Sequence, residues 1–211
     1  MSPMGLRESK KLQTRQLIAN TAMGMFVKRG FDHVTVAEVA SAAGVSEKTV
    51  FNYFPTKEDL FFDEVDEREA ALVEAVRNRR PGDSVPAALE RVQAAGCARL
   101  CGEGFARFAR IIEESPALQA KELELMARFT DAVAGAIRDE LGVQELDARI
   151  AANALIGVHW QHFRTARANA LAGRHGPGAE RKLRSDLKRS RLLLEGGLGQ
   201  LETSGATRRP R

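Results

Sequence analysis

Two cysteines, one tryptophan and one tyrosine are all that the 211 residues contain of those types. No apolar run approaches the roughly 18 residues that a membrane helix needs. Two cysteines cannot build a disulfide framework. Cys97 and Cys101, four apart in a helical pattern, stack on one face with no His or Cys cluster nearby in sequence. They read as small buried hydrophobes in a reducing compartment, with a redox role as the alternative. The opening MSPMGLRESKK has no apolar segment of the signal-peptide kind, so a cytoplasmic location is expected. A nucleotide-binding glycine loop, HExxH, GxSxG and clustered metal ligands are missing, so no catalysis, cofactor or metal is expected. No strand pattern is visible, and the expected fold class is all-α.

What is present is unevenly distributed. Residues 1–56 carry seven Lys/Arg against four Asp/Glu, residues 57–160 thirteen against twenty, and residues 161–211 twelve against four. A basic amino-terminal segment followed by an acidic middle suits a molecule that meets duplex phosphates at one end. Small charge differences also mark ordinary solvated faces, so charge alone does not decide.

The chain is organised around residues 35–60, TVAEVASAAGVSEKTVFNYFPTKEDL. Thr35 with Glu38 three residues on is a capping box, and Val36, Val39, Ala40 and Ala43 share one face of the helix it starts. Gly44 lets the chain reverse, and Ser46 caps a second short helix. There Val50, Phe51 and Phe54 are expected to form the apolar side. Pro55 ends that helix, and Thr56 with Asp59 caps a third. Ahead of this segment a helix over 7–29 places Leu12, Ile18, Ala22, Met25 and Phe26 inward, and Gly30 stops it. Two short helices joined by a tight turn form a helix-turn-helix, for which the partner is a double-stranded DNA operator. Candidate DNA contacts are Thr35, Ser46, Lys48, Thr49, Asn52, Tyr53 and Lys57. Lys48 and Thr49 are assigned to bases, and Tyr53, Lys57 and Thr35 to phosphates. One recognition helix covers few base pairs, so a homodimer on symmetric half-sites is expected.

Gly30, Thr35, Ala40, Gly44, Val45, Ser46, Thr49, Phe54, Lys57 and Leu60 make residues 7–60 resemble the DNA-binding domain of the TetR family of bacterial transcriptional regulators. The resemblance implies that Arg7, Lys10, Lys11 and Arg15 approach the DNA backbone; a solvated basic start is the alternative. It also implies a repressor that leaves its operator when a small molecule occupies the carboxy-terminal domain. Two positions depart from the family pattern. Phe51 stands where the family usually carries a tyrosine whose hydroxyl meets a phosphate, and Lys48 where glycine is frequent. An activator or inducer-free regulator of the same fold is one alternative. An all-α adaptor or enzyme with a vestigial helix-turn-helix is another, opposed by intact Lys48, Thr49, Tyr53 and Lys57.

Beyond the motif, one long helix is expected over 57–80, which in the resembling family joins the two domains and can transmit a signal. Further helices are expected over 85–100, 104–113, 116–141, 145–171 and 179–201. The expected domains are 1–56 for DNA, 57–202 for regulation, ligand binding and dimerisation, and a disordered tail at 203–211. His159, Trp160 and His162, with Phe105, Phe108, Met126 and Phe129, either line a ligand cavity for an effector of unknown identity or are satisfied core residues. Leu183, Leu187, Leu194, Leu198 and Leu201 form a stripe for self-association or for packing within their own domain. Arg181, Lys182, Arg184, Lys188, Arg189 and Arg191, on the polar side of that helix, are expected to pair with acidic residues.

Overall fold

The computed structural model describes residues 6–197, with side chains from residue 8. Leu198, Leu201 and the tail 203–211 lie outside the described residues. Within them the chain is helical throughout, with no strand: α1 Leu6–Arg29, α2 Val36–Ala42, α3 Glu47–Tyr53, α4 Lys57–Phe61, α5 Val65–Arg77, α6 Val85–Leu100, α7 Phe105–Glu114, α8 Pro116–Leu141, α9 Glu145–Leu171 and α10 Pro177–Gly196. Packing divides the chain into two units. The first is the chain up to Asp66 together with Arg110–Glu122, and the second is Glu67–Ala109 with the chain from Leu123 onward.

In the first unit α1 packs on α2 and α4, and α2 on α3. Ile18, Ala22 and Phe26 supply the buried side of α1, and Val34, Val39, Val50, Phe54, Leu60 and Phe61 close over it. Phe26, Phe31 and Phe61 form an aromatic nucleus with ring centroids 4.9 to 6.2 Å apart. Burying rings of this size stabilises the unit by roughly 1.5–3 kcal/mol each, a large share of what holds so few residues together. Gly30 and Gly44 adopt φ of +82° and +69°, left-handed conformations that let α1 stop and the α2–α3 turn reverse. The α7–α8 corner joins this unit by polar links. Ser115 Oγ donates to Asp32 Oδ1 at 2.8 Å, and Lys121 Nζ lies 3.1 Å from Asp59.

Two sequence expectations fail inside this unit. Leu12 is 54% exposed and Phe51 47% exposed, so neither belongs to the core. The expected helix over 57–80 is two helices, broken at 62–64. Phe62 leaves helical geometry at φ −98°, ψ 45° while its N–H still donates to the Glu58 carbonyl. The Asp63 carbonyl accepts from Arg15 Nη2 at 2.5 Å, so a group that a continuous helix would use internally is tied to α1. Asp63 and Glu64 then precede the amino terminus of α5, where unpaired N–H groups favour negative charge. A single rigid rod from Lys57 to Arg80 is therefore absent.

In the second unit α6, α9 and α10 pack on one another. Cys97, Cys101, Phe105, Ala109, Ala166, Ala170, Leu183 and Leu187 make one buried cluster. The alanines of α9 keep that helix slim where it meets its neighbours. Leu183 and Leu187 are each 2% exposed within a single chain, which corrects their assignment to a dimer interface: their face is already covered by α6, α7 and α9. Four of the six basic residues expected to pair on α10 do find acids. Lys182 and Arg189 reach Asp186, Arg184 reaches Glu180, and Arg191 bridges Glu90 and Glu195.

Candidate nucleic-acid interface

The helix-turn-helix is held by its caps. Thr35 Oγ1 donates to Glu38 Oε2 at 3.0 Å and accepts the Glu38 N–H at 3.2 Å, while the Thr35 N–H donates to Glu38 Oε2 at 2.8 Å. Glu38 also accepts from Arg29 Nη1 at 2.8 Å. The Arg29 hydrogen bond, with those from the backbone and hydroxyl of Thr35, holds the Glu38 carboxyl down to about 2. Thr35 has thus committed its hydroxyl proton to the cap and has only acceptor capacity left, whereas a phosphate contact needs a donor. Ser46 Oγ accepts the Thr49 N–H at 3.1 Å and shares a hydrogen bond with Thr49 Oγ1 at 2.8 Å. Whichever hydroxyl donates, the other keeps a free proton, so this pair presents one outward donor at the start of α3.

On α3, Val50 points inward with the C-cap residue Phe54. Ser46, Glu47, Lys48, Phe51 and Asn52 are exposed, and Thr49 and Tyr53 half-buried. The structure thereby gathers the candidates of this helix on one outward surface and adds Phe51, which sequence reasoning placed in the core. In a helix of seven residues, a ring three positions from Phe54 and adjacent to Val50 reads as core by spacing alone.

The flanking cations are engaged. The Arg15 guanidinium lies 4.8 Å from the Phe54 ring centroid and donates to the Asp63 carbonyl. It clamps the recognition helix end, α1 and the α4–α5 break together. The Lys57 ammonium sits 4.1 Å from the Phe31 centroid. Burial lowers its pKa from the ordinary lysine value, opposed by Asp32, Glu58 and Glu38. Next to it Thr56 and Asp59 form the second capping box. Burial alone would raise the Asp59 pKa, but the Thr56 hydroxyl and Lys121 outweigh it and hold the carboxyl below its usual range.

The residues proposed for an effector cavity separate into two groups in the second unit. Phe105, Phe108 and Trp160 gather around Phe163, with centroids 5.7 to 6.5 Å apart. Phe129 meets His159 edge-on at 6.3 Å. His162 is buried and its Nδ1 donates to the Val158 carbonyl at 2.8 Å. Met126 is half-buried one turn before Thr130, whose hydroxyl donates to the Met126 carbonyl. A dent elsewhere, lined by Leu89, Gln93, Val158, Leu187, Arg191 and Leu194, has room for about one water. Leu194, the remaining described leucine of the dimer stripe, is half-buried there. Both cysteines are buried, and burial pushes the Cys97 thiol up to about 11, far from a reactive thiolate.

Comparison with known proteins places this geometry. Residues 18–63 match the family model described as bacterial regulatory proteins, tetR family. The chain is 26% identical over 147 residues to the HTH-type transcriptional regulator TcmR of Streptomyces glaucescens, covering 66% of this chain and 65% of that one. The match therefore spans less than two thirds of the relative's length. NalD, the secondary repressor of the MexAB-OprM multidrug efflux pump in Pseudomonas aeruginosa, superposes with a TM-score of 0.54 at 19% identity over 86% of this chain and 97% of that one, a likeness of fold. Thermus thermophilus FadR, a TetR-family repressor solved with lauroyl-CoA, gives a TM-score of 0.50 at 26% identity, covering 85% and 92%. Helix-turn-helix sequence and capping geometry agree with the tetR-family model over residues 18–63, and the fold of the chain is like that of these solved repressors.

Proposed function

We propose that this protein is a DNA-binding transcriptional repressor that acts as a homodimer on a two-fold operator and is released by a small molecule. The observation that carries the reading is the outward surface of α3. Lys48 and Asn52 are exposed on a helix locked by Ser46, Val50 and Phe54. Lys48, Asn52 and the donor shared by Ser46 and Thr49 read base edges, and Tyr53 and Lys57 hold phosphates. Two-fold pairing follows from the short reach of α3. It uses surface other than Leu183 and Leu187. The release step is supported by FadR, a relative in fold solved with an acyl-CoA. The aromatic groups around Phe163 and His159 are the wall proposed for such a ligand. No described helix is long and apolar enough to cross a membrane.

The test is a gel shift of the purified chain on DNA flanking its own gene, with light scattering for the stoichiometry. Apolar and amphipathic compounds are then screened for thermal stabilisation, and each hit is titrated with and without operator. A released complex requires reciprocity: a hundredfold loss of operator affinity means a hundredfold loss of ligand affinity, a coupling of about 2.7 kcal/mol. Absence of any sequence-preferring shift would defeat the DNA-binding reading. A shift that no stabilising ligand alters would leave DNA binding standing and defeat induction.

A further inference from the structure

We infer that Phe51 is a specificity-determining residue that reads the 5-methyl group of thymine in the major groove. The inference rests on the DNA-binding reading and deepens it. A single exposed hydrophobe on a protein surface needs no explanation. Phe51 differs because of where it stands. The residue is 47% exposed on the same outward surface as Lys48, one turn before it, and Asn52 beside it. Val50 and Phe54 fill the inward side of α3, so the ring has no place in the core. Phenylalanine has no hydroxyl, so it neither donates to a phosphate nor accepts from a base. Among the groups that base pairs present in the major groove, the thymine methyl is the apolar one. A ring flanked by an ammonium and a carboxamide on a recognition helix is thus matched to a T next to bases or phosphates that the polar neighbours hold. The ammonium beside it supplies charge complementarity to that occupant. A protein partner would leave Lys48 and Asn52 without comparable partners.

The experiment begins with duplexes selected from a randomised 30-base-pair pool by the wild-type full-length chain. Each thymidine of the selected duplex is replaced in turn by deoxyuridine, which removes the methyl and nothing else, and affinity is read by anisotropy at fixed salt. At one position per half-site the wild type should lose about fourfold, the value of one buried methyl group. Phe51→Ala should bind the thymine duplex more weakly and show no further loss with deoxyuridine at that position. Phe51→Tyr, which keeps the ring, should retain the methyl effect, and Lys48→Ala should retain it too. Because the ring lies outside the core, Phe51→Ala should melt like the wild type, and circular dichroism confirms that before binding is read. Equal deoxyuridine losses in wild type and Phe51→Ala at every position, or no losses, overturn the inference while leaving DNA binding intact. A pool from which the wild type enriches no sequence overturns the proposed function, and the Phe51 inference with it. Loss of self-association in Phe51→Ala with an unchanged methyl effect would assign the ring to a protein contact and also overturn it.

Discussion

Arg15 separates two accounts of α1, because the family resemblance sends it to the DNA backbone and the structure sends it into the first unit. Replacing it by alanine removes a charge-assisted hydrogen bond to the Asp63 carbonyl, 2.5 Å long and part-buried, and a guanidinium 4.8 Å from the Phe54 ring centroid. A hydrogen bond from a charged donor contributes about 1.5–3 kcal/mol, and partial exposure puts this one near the lower end. The cation–π contact adds about 0.5–1 kcal/mol. Arg15→Ala should therefore cost about 2–3 kcal/mol of stability, localised to α1, α3 and the α4–α5 break. Arg15→Lys keeps the charge but not the planar stacking or the fork, and should recover less than half of that. Urea unfolding followed by circular dichroism gives the magnitude, and hydrogen exchange of peptides covering residues 47–66 gives the location. Operator affinity measured against salt completes the assay, since a lost phosphate contact lowers the slope by about one counterion. Stability changed by under about 0.5 kcal/mol, together with a flattened salt slope, would refute the clamp and restore the phosphate role.

Three further outcomes are expected. Glu38, held down to about 2 from the usual 4.5, binds its proton more weakly folded than unfolded; its stabilisation should be complete above about pH 4.5 and vanish as pH falls towards 2. The stability difference between wild type and Glu38→Gln, followed by thermal melts across that range, should shrink accordingly, and a constant gap would contradict the assignment. His159 titrates at about 4, lowered by burial first and then by Arg68 and His162; it stays neutral when folded and charges on unfolding, so stability should decline between about pH 6.5 and 4. His159→Gln should flatten that decline, and an unchanged pH profile would show that another group causes it. Cys97 and Cys101 should react with a thiol reagent at the rate of unfolding rather than at that of an exposed cysteine, as their burial and raised pKa require; fast stoichiometric labelling of the native chain would sink this.

The legible parts of this chain were those fixed by neighbours in sequence. Thr35 with Glu38, Ser46 with Thr49, and Thr56 with Asp59 act across three residues, and all three caps form. Gly30 and Gly44 likewise announce the left-handed turns that they supply. The break at 62–64 was not legible, because its tie comes from Arg15, 48 residues away. Phe51 was misread for a different reason: helical spacing over seven residues cannot separate a core ring from an outward one when true core residues lie one and three positions away. For Leu183 and Leu187 the periodicity found the buried face correctly. It could not say whether α6 and α9 of the same chain or a second subunit covers that face.

The α7–α8 corner has a consequence in time. Residues 110–122 pack with the amino-terminal unit, where Ile112 and Leu118 are fully buried and Ser115 and Lys121 tie to Asp32 and Asp59. The ribosome must therefore deliver the whole of α6 and α7 before the helix-turn-helix unit can close. At 5–20 residues per second that is a wait of roughly 3 to 11 s after Asp66 is joined to the chain. Throughout it, the surface that Ile112 and Leu118 will cover stays open to chaperones and proteases, so a nascent chain stalled between the two segments should be cut within residues that resist cleavage in the finished protein.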